Sequence, residues 1–155
     1  MRIKTLKEVD MKEDVKILIV DDSKVYQMMI QETLKDYNTL VASDGVEALE
    51  TLLEHKDIDI VVLDINMPRM NGFQVLERIE ADMNDRNLSV VILTNSDEIN
   101  EELKGLEKGA VDYIRKPLNG QSLLKRIEVH LNLVDTRKTL KLYKSAYIDL
   151  TGKEL

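Results

Sequence analysis

The chain has 155 residues, a formal net charge of −7 and 43% hydrophobic residues, which is enough for one domain with a real core and some remainder. The acidic balance argues against a general nucleic-acid or anionic-membrane surface, and the absence of Cys excludes disulfides, thiolate catalysis and Cys-ligated zinc. No apolar stretch approaches the roughly 20 residues of a membrane span, and the charged N-terminus lacks the apolar core of a signal peptide, so the expected location is the cytoplasm.

Residues 1–14 are charged and weakly periodic, and read as a loose N-terminal extension. Lys16–Val20 is a short apolar run that ends in Asp21-Asp22-Ser23, a strand followed by residues able to cap a helix. That helix runs to about Lys35, with Val25, Met28, Met29 and Leu34 as its expected inner face. Thr39–Ser43 reads as a second strand. Asp44-Gly45 opens a second helix, with Val46, Leu49, Leu52 and Leu53 at helical spacing. Ile58–Asp64 is the longest β-branched run, and a loop built on Pro68 and Asn71-Gly72 follows it. A third helix starts near Gly72, with Phe73, Leu76, Ile79 and Met83 on one stripe. Leu88–Thr94 is a fourth strand ending in a hydroxyl. Asn95-Ser96-Asp97-Glu98 reads as a helix start, Ile99, Leu103 and Leu106 as that helix's inner face, and Gly105 and Gly109 as helix-end glycines. Val111–Ile114 is a fifth strand closed by Arg115-Lys116-Pro117. The last helix starts near Asn119-Gly120 with Leu123, Leu124, Ile127, Leu131 and Val134 in register.

Strict alternation of five strands with helices predicts an α/β fold: a flavodoxin-like, doubly wound parallel sheet in the order 2-1-3-4-5, with helices on both faces. Ligands of such sheets bind at the carboxyl ends of the strands. Asp64 alone reads equally as a loop acid or a turn cap. The expected order, however, gathers Asp21, Asp22, Asp64, Thr94 and Lys116 at one edge. Three carboxylates so close repel, and one takes up a proton unless a cation intervenes. Oxygen ligands suit a hard divalent cation, Mg²⁺ (or Mn²⁺), and a nearby lysine suits phosphate. The chemistry implied is phosphoryl transfer onto or off a carboxylate, with Asp64 as nucleophile.

Four segments, ILIVDDS (17–23), VVLDINMPRMNG (61–72), VVILTNS (90–96) and GAVDYIRKPL (109–118), resemble those of a two-component response-regulator receiver domain of the chemotaxis-regulator type. The resemblance covers residues 15–134. It implies that Asp64 is the phosphoacceptor for a sensor histidine kinase. It also implies that Asp22 binds the metal directly, Asp21 largely through water, and the backbone carbonyl of Asn66 completes the set. Thr94 and Lys116 would contact phosphoryl oxygens. Tyr113 would swing inward on activation as Thr94 moves, and the Lys116-Pro117 bond would be cis. Asn71 stands where Asp is more frequent, and Asn95 where a smaller residue is usual, which could slow phosphoryl loss. Asn66 and Ser96 hold the positions that tune hydrolysis.

Two rival readings remain at this point. A phosphohydrolase with an aspartyl-phosphate nucleophile needs a proton donor two residues on, and Asn66 cannot serve. A degenerate receiver acting only as an interaction module would not need the five site residues. His55 and His130 read as surface residues, and the seven Met residues as packing groups.

Residues 135–155 extend the last helix. Leu133, Leu140 and Tyr147 recur every seven residues, as do Val129, Thr136, Tyr143 and Leu150, an a/d seam flanked by Arg137, Lys138, Lys141 and Lys144. A continuous helix of about 30 residues would be about 45 Å long. Homodimerisation is expected through this helix and the face of the fourth helix, fifth strand and fifth helix. Ala146–Gly152 resembles the lead-in to a diguanylate cyclase (GGDEF) domain, with Asp-Leu-Thr-Gly one residue shorter than the family's spacing. The expected whole is a signalling switch rather than a metabolic enzyme, with no nucleic-acid or membrane partner for this chain.

Overall fold

A computed structural model describes residues 15–95 and 99–153; the reading of residues 1–14 and of Ser96, Asp97 and Glu98 as an extension and a helix start lies outside them. Five parallel strands, β1 (Lys16–Val20), β2 (Asn38–Ala42), β3 (Ile58–Asp64), β4 (Ser89–Asn95) and β5 (Asp112–Lys116), form one sheet in the order β2-β1-β3-β4-β5. The helices are α1 (Lys24–Thr33), α2 (Gly45–Glu54), α3 (Gly72–Asp82), α4 (Ile99–Glu107) and α5 (Gly120–Thr151). The doubly wound fold and its long last helix are as the sequence leads one to expect, with strand limits shifted by a residue or two. Two compact units divide within α5: one ends at Leu124, the other is Lys125–Leu155.

β-Branched runs buried on both sides make the centre of the sheet. Leu18, Val20, Val61, Leu63, Val90 and Ile92 join Ala48 and Leu52 of α2, Phe73, Val75, Leu76 and Ile79 of α3, and Met83 just beyond it in one core. The alternate residues Ile17, Ile19, Ile60, Val62, Val91 and Leu93 point the other way and are equally buried. Local signals set the helix starts. Ser23 accepts from the Tyr26 amide, Asp44 from Glu47, and Asn119 from Ser122. Asn71 and Gln74 close a reciprocal capping box at α3.

Several expected helix faces are wrong. In α1 the buried residues are Gln27 and Ile30, with Leu34 just beyond, while Val25, Met28 and Met29 are exposed. In α2, Ala48 and Leu52 are buried and Leu53 is exposed. In α4, Glu102 and Gly105 face inward, and Ile99, Leu103 and Leu106 face outward. Gly105 is not a helix-end residue: it lies inside α4, where a Cβ would run into the Ile92 side chain. Gly109 does end the helix, at φ +111°, with its N–H on the Leu106 carbonyl.

In the second unit α5 continues to Thr151, which makes it a helix of 32 residues from Gly120. Ile127, His130, Leu131 and Val134 are buried, so His130 is not the surface residue expected. Its spacing from Ile127 and Val134 puts it on the buried stripe. Beyond Val134 the seam residues Leu140, Tyr143, Tyr147 and Leu150 are all exposed.

Candidate phosphoryl site

Each candidate side chain hangs from the carboxyl end of a strand or the first loop residues after it. Asp21 follows β1, Asp64 ends β3, Thr94 lies near the end of β4, and Lys116 ends β5. Parallel register sets Asp64 opposite Leu93 and Thr94 opposite Arg115, bringing these ends level. Ligand oxygens of Asp21, Asp22 and Asp64 all lie within 4.8 Å of one another. Asp21 and Asp64 are buried, whereas Asp22 is exposed at the mouth. Lys116 Nζ stands 3.0 Å from Asp21 Oδ2 and 3.4 Å from Asp64 Oδ1.

The electrostatics follow from this crowding. Burial, then the neighbouring Asp21 charge, pushes the Asp64 carboxyl up to about 6, against the pull of Lys116. Lys116 itself is held above its ordinary value: burial opposes its charge, but hydrogen bonding and attraction to Asp21 and Asp64 outweigh it. One ammonium therefore does not fully neutralise the acids. An all-oxygen donor set with an exposed carboxylate at its mouth suits a hard divalent cation such as Mg²⁺ or Mn²⁺.

Backbone bonds hold the acids in place. The Ser23 N–H donates to Asp21 Oδ1 at 2.9 Å, and the Asn66 N–H to Asp64 Oδ1 at 3.3 Å. Asn66 itself is exposed. Gly72 begins α3 directly against Asp64: a Cβ there would stand 2.6 Å from the Asp64 carbonyl oxygen. The Thr94 hydroxyl is buried and has no hydrogen-bond partner among the described residues. Tyr113 is half-buried on β5. The Lys116-Pro117 bond is cis.

The structure also brings in residues that sequence reasoning missed. Lys116 Nζ sits 4.2 Å from the centre of the Tyr26 ring, a cation–π contact. Gln27 donates its Nε2 to the Asp21 carbonyl at 2.6 Å and to Ser43 Oγ at 3.2 Å. Arg69, at φ +64°, donates its Nε to Asp44 Oδ2 at 2.9 Å, tying the loop after β3 to the cap of α2. None of the three carries a sequence signal beyond its position within a few residues of Asp22 or Asp64. Among the described residues, only Asp21, Asp22 and Asp64 form a metal-ligating cluster, and His55 and His130 are in none.

Comparison with known proteins agrees with this geometry. Residues 17–128 match the response regulator receiver domain family. Response regulator MprA of Mycobacterium sp. (strain KMS) is 33% identical over 139 residues, which is 88% of this chain and 59% of the relative. MprA of Mycobacterium leprae (strain TN) is also 33% identical, over 88% of this chain and 60% of its own. The chain thus spans about three fifths of the curated relatives it matches. Among solved structures, Vibrio cholerae chemotaxis protein CheY4 superimposes with a TM-score of 0.67 at 31% identity, over 74% of this chain and 96% of that one. A two-component system response regulator/GGDEF domain protein gives 0.76 at 25% identity, over 80% and 51%.

Proposed function

Since the chain belongs to the response regulator receiver domain family of two-component signalling, we propose that it is a phosphorylation switch whose acceptor is Asp64. The observation that carries this reading is the meeting of three carboxylates within 4.8 Å, with the Lys116 ammonium 3.4 Å from Asp64. The partner is a sensor histidine kinase. A carboxylate oxygen of Asp64 attacks the phosphorus of the kinase's phosphohistidine; the P–O bond forms, the P–N bond breaks, and the electron pair leaves on the imidazole nitrogen. Asp21, Asp22, Asp64 and the Asn66 carbonyl would hold Mg²⁺ or Mn²⁺, which when bound neutralises carboxylate and phosphoryl charge. Lys116 pairs with a phosphoryl oxygen, and Thr94 donates its hydroxyl to another. Burial of the acceptor keeps water from the reacting oxygen.

Signal output follows from the Thr94–Tyr113 end of the sheet. As Thr94 turns toward the phosphoryl group, Tyr113 moves inward, and α4 with β5 rearranges. Two surfaces suit self-association: the exposed Ile99, Leu103 and Leu106 of α4, and the heptad seam of α5. An output of the diguanylate cyclase type beyond α5 fits the Asp149–Gly152 stretch and the name of one structural relative. The role is that of a signalling switch, not a metabolic enzyme. Among the described residues no helix is long and apolar enough to cross a membrane.

Incubation with Mg²⁺ and a small phosphodonor, or with beryllofluoride, followed by intact mass, tests the site. We expect a Mg²⁺-dependent adduct that Asp64→Asn abolishes. No adduct on the wild type, or one that survives Asp64→Asn, refutes the assignment.

A further inference from the structure

Among the described residues Glu102 is the most deeply buried acid outside the site, 3% exposed in the middle of α4. A lone buried carboxylate costs several kcal/mol, so its partners matter. Arg115 of β5 supplies the charge: its Nε and Nη2 each meet one Glu102 oxygen, the latter at 3.1 Å, a bidentate pair. Arg115 is about half exposed and could keep its charge in water without help. Glu102 could not, and needs the pair.

Register makes this more than an ordinary ion pair. Arg115 is the strand partner of Thr94, and Tyr113 precedes Arg115 by two residues, so all three side chains share one face of the sheet. The Arg115 guanidinium lies 5.9 Å from the Tyr113 ring centre. Glu102 reaches the same spot from above, and its carboxyl is held below the ordinary range, first by Arg115 and, after burial opposes it, also by the hydroxyls of Tyr113 and Thr94. The Thr94 hydroxyl makes no hydrogen bond of good geometry. Thr94 follows directly on Leu93, the strand partner of Asp64, and is itself the strand partner of Arg115, which holds Glu102.

We propose that Glu102 is a positioning residue for phosphoryl transfer: its carboxylate attracts the Thr94 hydroxyl in the unphosphorylated state, and Arg115 sets how strongly it does so. The inference rests on Asp64 being the acceptor. With Arg115 in place, the Glu102 charge is mostly spent on the guanidinium, and Thr94 is held weakly enough to move. Without Arg115, the Thr94 and Tyr113 hydroxyls are the partners left to the buried carboxylate among the described residues, and it grips them. Without the Glu102 charge, that competition with the phosphoryl oxygens is lost.

The two partners therefore give effects of opposite sign, which a tie that merely fastened α4 to β5 would not. The experiment is the rate of Mg²⁺-dependent adduct formation on the full chain with a small phosphodonor. Glu102→Gln is expected to speed it about threefold or more, and Arg115→Gln to slow it about threefold or more. Both effects should vanish in a Thr94→Ala background, because coupled residues are non-additive. Arg115→Lys, which keeps the charge but not the two-pronged contact, should fall between. Changes of the same sign in both variants, or effects that persist without Thr94, overturn the proposal. Arg115 is half exposed, so its variants report even where Glu102→Gln folds poorly. A wild type that forms no adduct overturns the acceptor assignment itself, whereas a normal adduct with unmoved rates overturns only the role of Glu102.

Discussion

Lys116 holds its ammonium 3.0 Å from Asp21, a carboxylate with no exposed surface, and closer to it than to Asp64. The lysine occupies, in effect, the place of a counter-ion for the whole acidic cluster. Removing one partner of a buried pair costs about 3–5 kcal/mol. Lys116→Met should destabilise the metal-free protein by about 3 kcal/mol at pH 7.5. Mg²⁺ should return more stability to the variant than to the wild type, since it then replaces the missing cation. Urea unfolding with EDTA and with Mg²⁺ gives the comparison; equal Mg²⁺ effects in both proteins would contradict it.

The Asp64 carboxyl, pushed up to about 6 by burial and by Asp21, makes the site costly when empty of metal. The folded protein binds this proton more tightly than the unfolded chain, whose carboxyl titrates near about 4. The group therefore does not oppose folding below about pH 4. Its penalty grows between about pH 4 and 6 and is fully present above. A difference of about two pKa units at about 1.4 kcal/mol each amounts to ~3 kcal/mol. Asp64→Asn should thus stabilise the metal-free protein by up to ~3 kcal/mol at pH 7.5, with the gain shrinking as pH falls through about 6 toward 4. Urea midpoints across that range measure it, and a gain independent of pH would point to a cause other than the carboxylate charge.

The site was legible in the sequence because strand ends are. Apolar runs stop at the carboxyl ends of the strands, so Asp21, Asp64, Thr94 and Lys116 could each be placed from the residue before it. The strand order then follows from chirality and alternation. Helix faces were less legible, and for a physical reason. Val25 and Met28 of α1, like Ile99 and Leu103 of α4, form apolar stripes that point outward. Spacing reports a stripe but not which side the sheet covers. The inward positions are held instead by Gln27 and Glu102, polar residues that burial tolerates only because Asp21, Ser43 and Arg115 satisfy them. Such pairings join residues many positions apart, and no local pattern announces them. The Tyr26–Lys116 contact was invisible for the same reason.

Gly72 is fixed by close approach, not by backbone conformation. A methyl group there would stand 2.6 Å from the Asp64 carbonyl oxygen and 2.8 Å from the Ile65 Cα. Both are backbone atoms of the segment that presents Asp64, so neither can rotate aside. Gly72→Ala should cost about 1–3 kcal/mol by overpacking. It should also slow adduct formation, because the displaced backbone carries Asp64. Stability and phosphodonor kinetics on the same variant check both; a variant of normal stability and rate would mean that α3 can retreat at little cost.

The exposed seam of α5 makes a sharper prediction than dimerisation alone. Leu133, Leu140 and Tyr147 alternate with Thr136, Tyr143 and Leu150 at heptad spacing, and all but the threonine are large apolar groups left in solvent. A helix with such a stripe has low stability alone and gains it by pairing. Orientation follows from the flanks. Arg137 and Lys144 stand four residues after Leu133 and Leu140, while the flanking positions on the other side are Asn132 and Thr139. An antiparallel pair would set the cationic flanks against each other, whereas a parallel pair sets them against neutral residues. The pair is therefore expected to be parallel and in register. Leu133→Asp with Leu140→Asp should leave a monomer by sedimentation. In a chain without cysteine, Leu150→Cys should form a disulfide-linked dimer on mild oxidation, because only the parallel arrangement brings the two copies of position 150 together. Sedimentation as a monomer in both the phosphorylated and unphosphorylated states would remove the paired helix, and a dimer that resists cross-linking at position 150 would reverse its orientation.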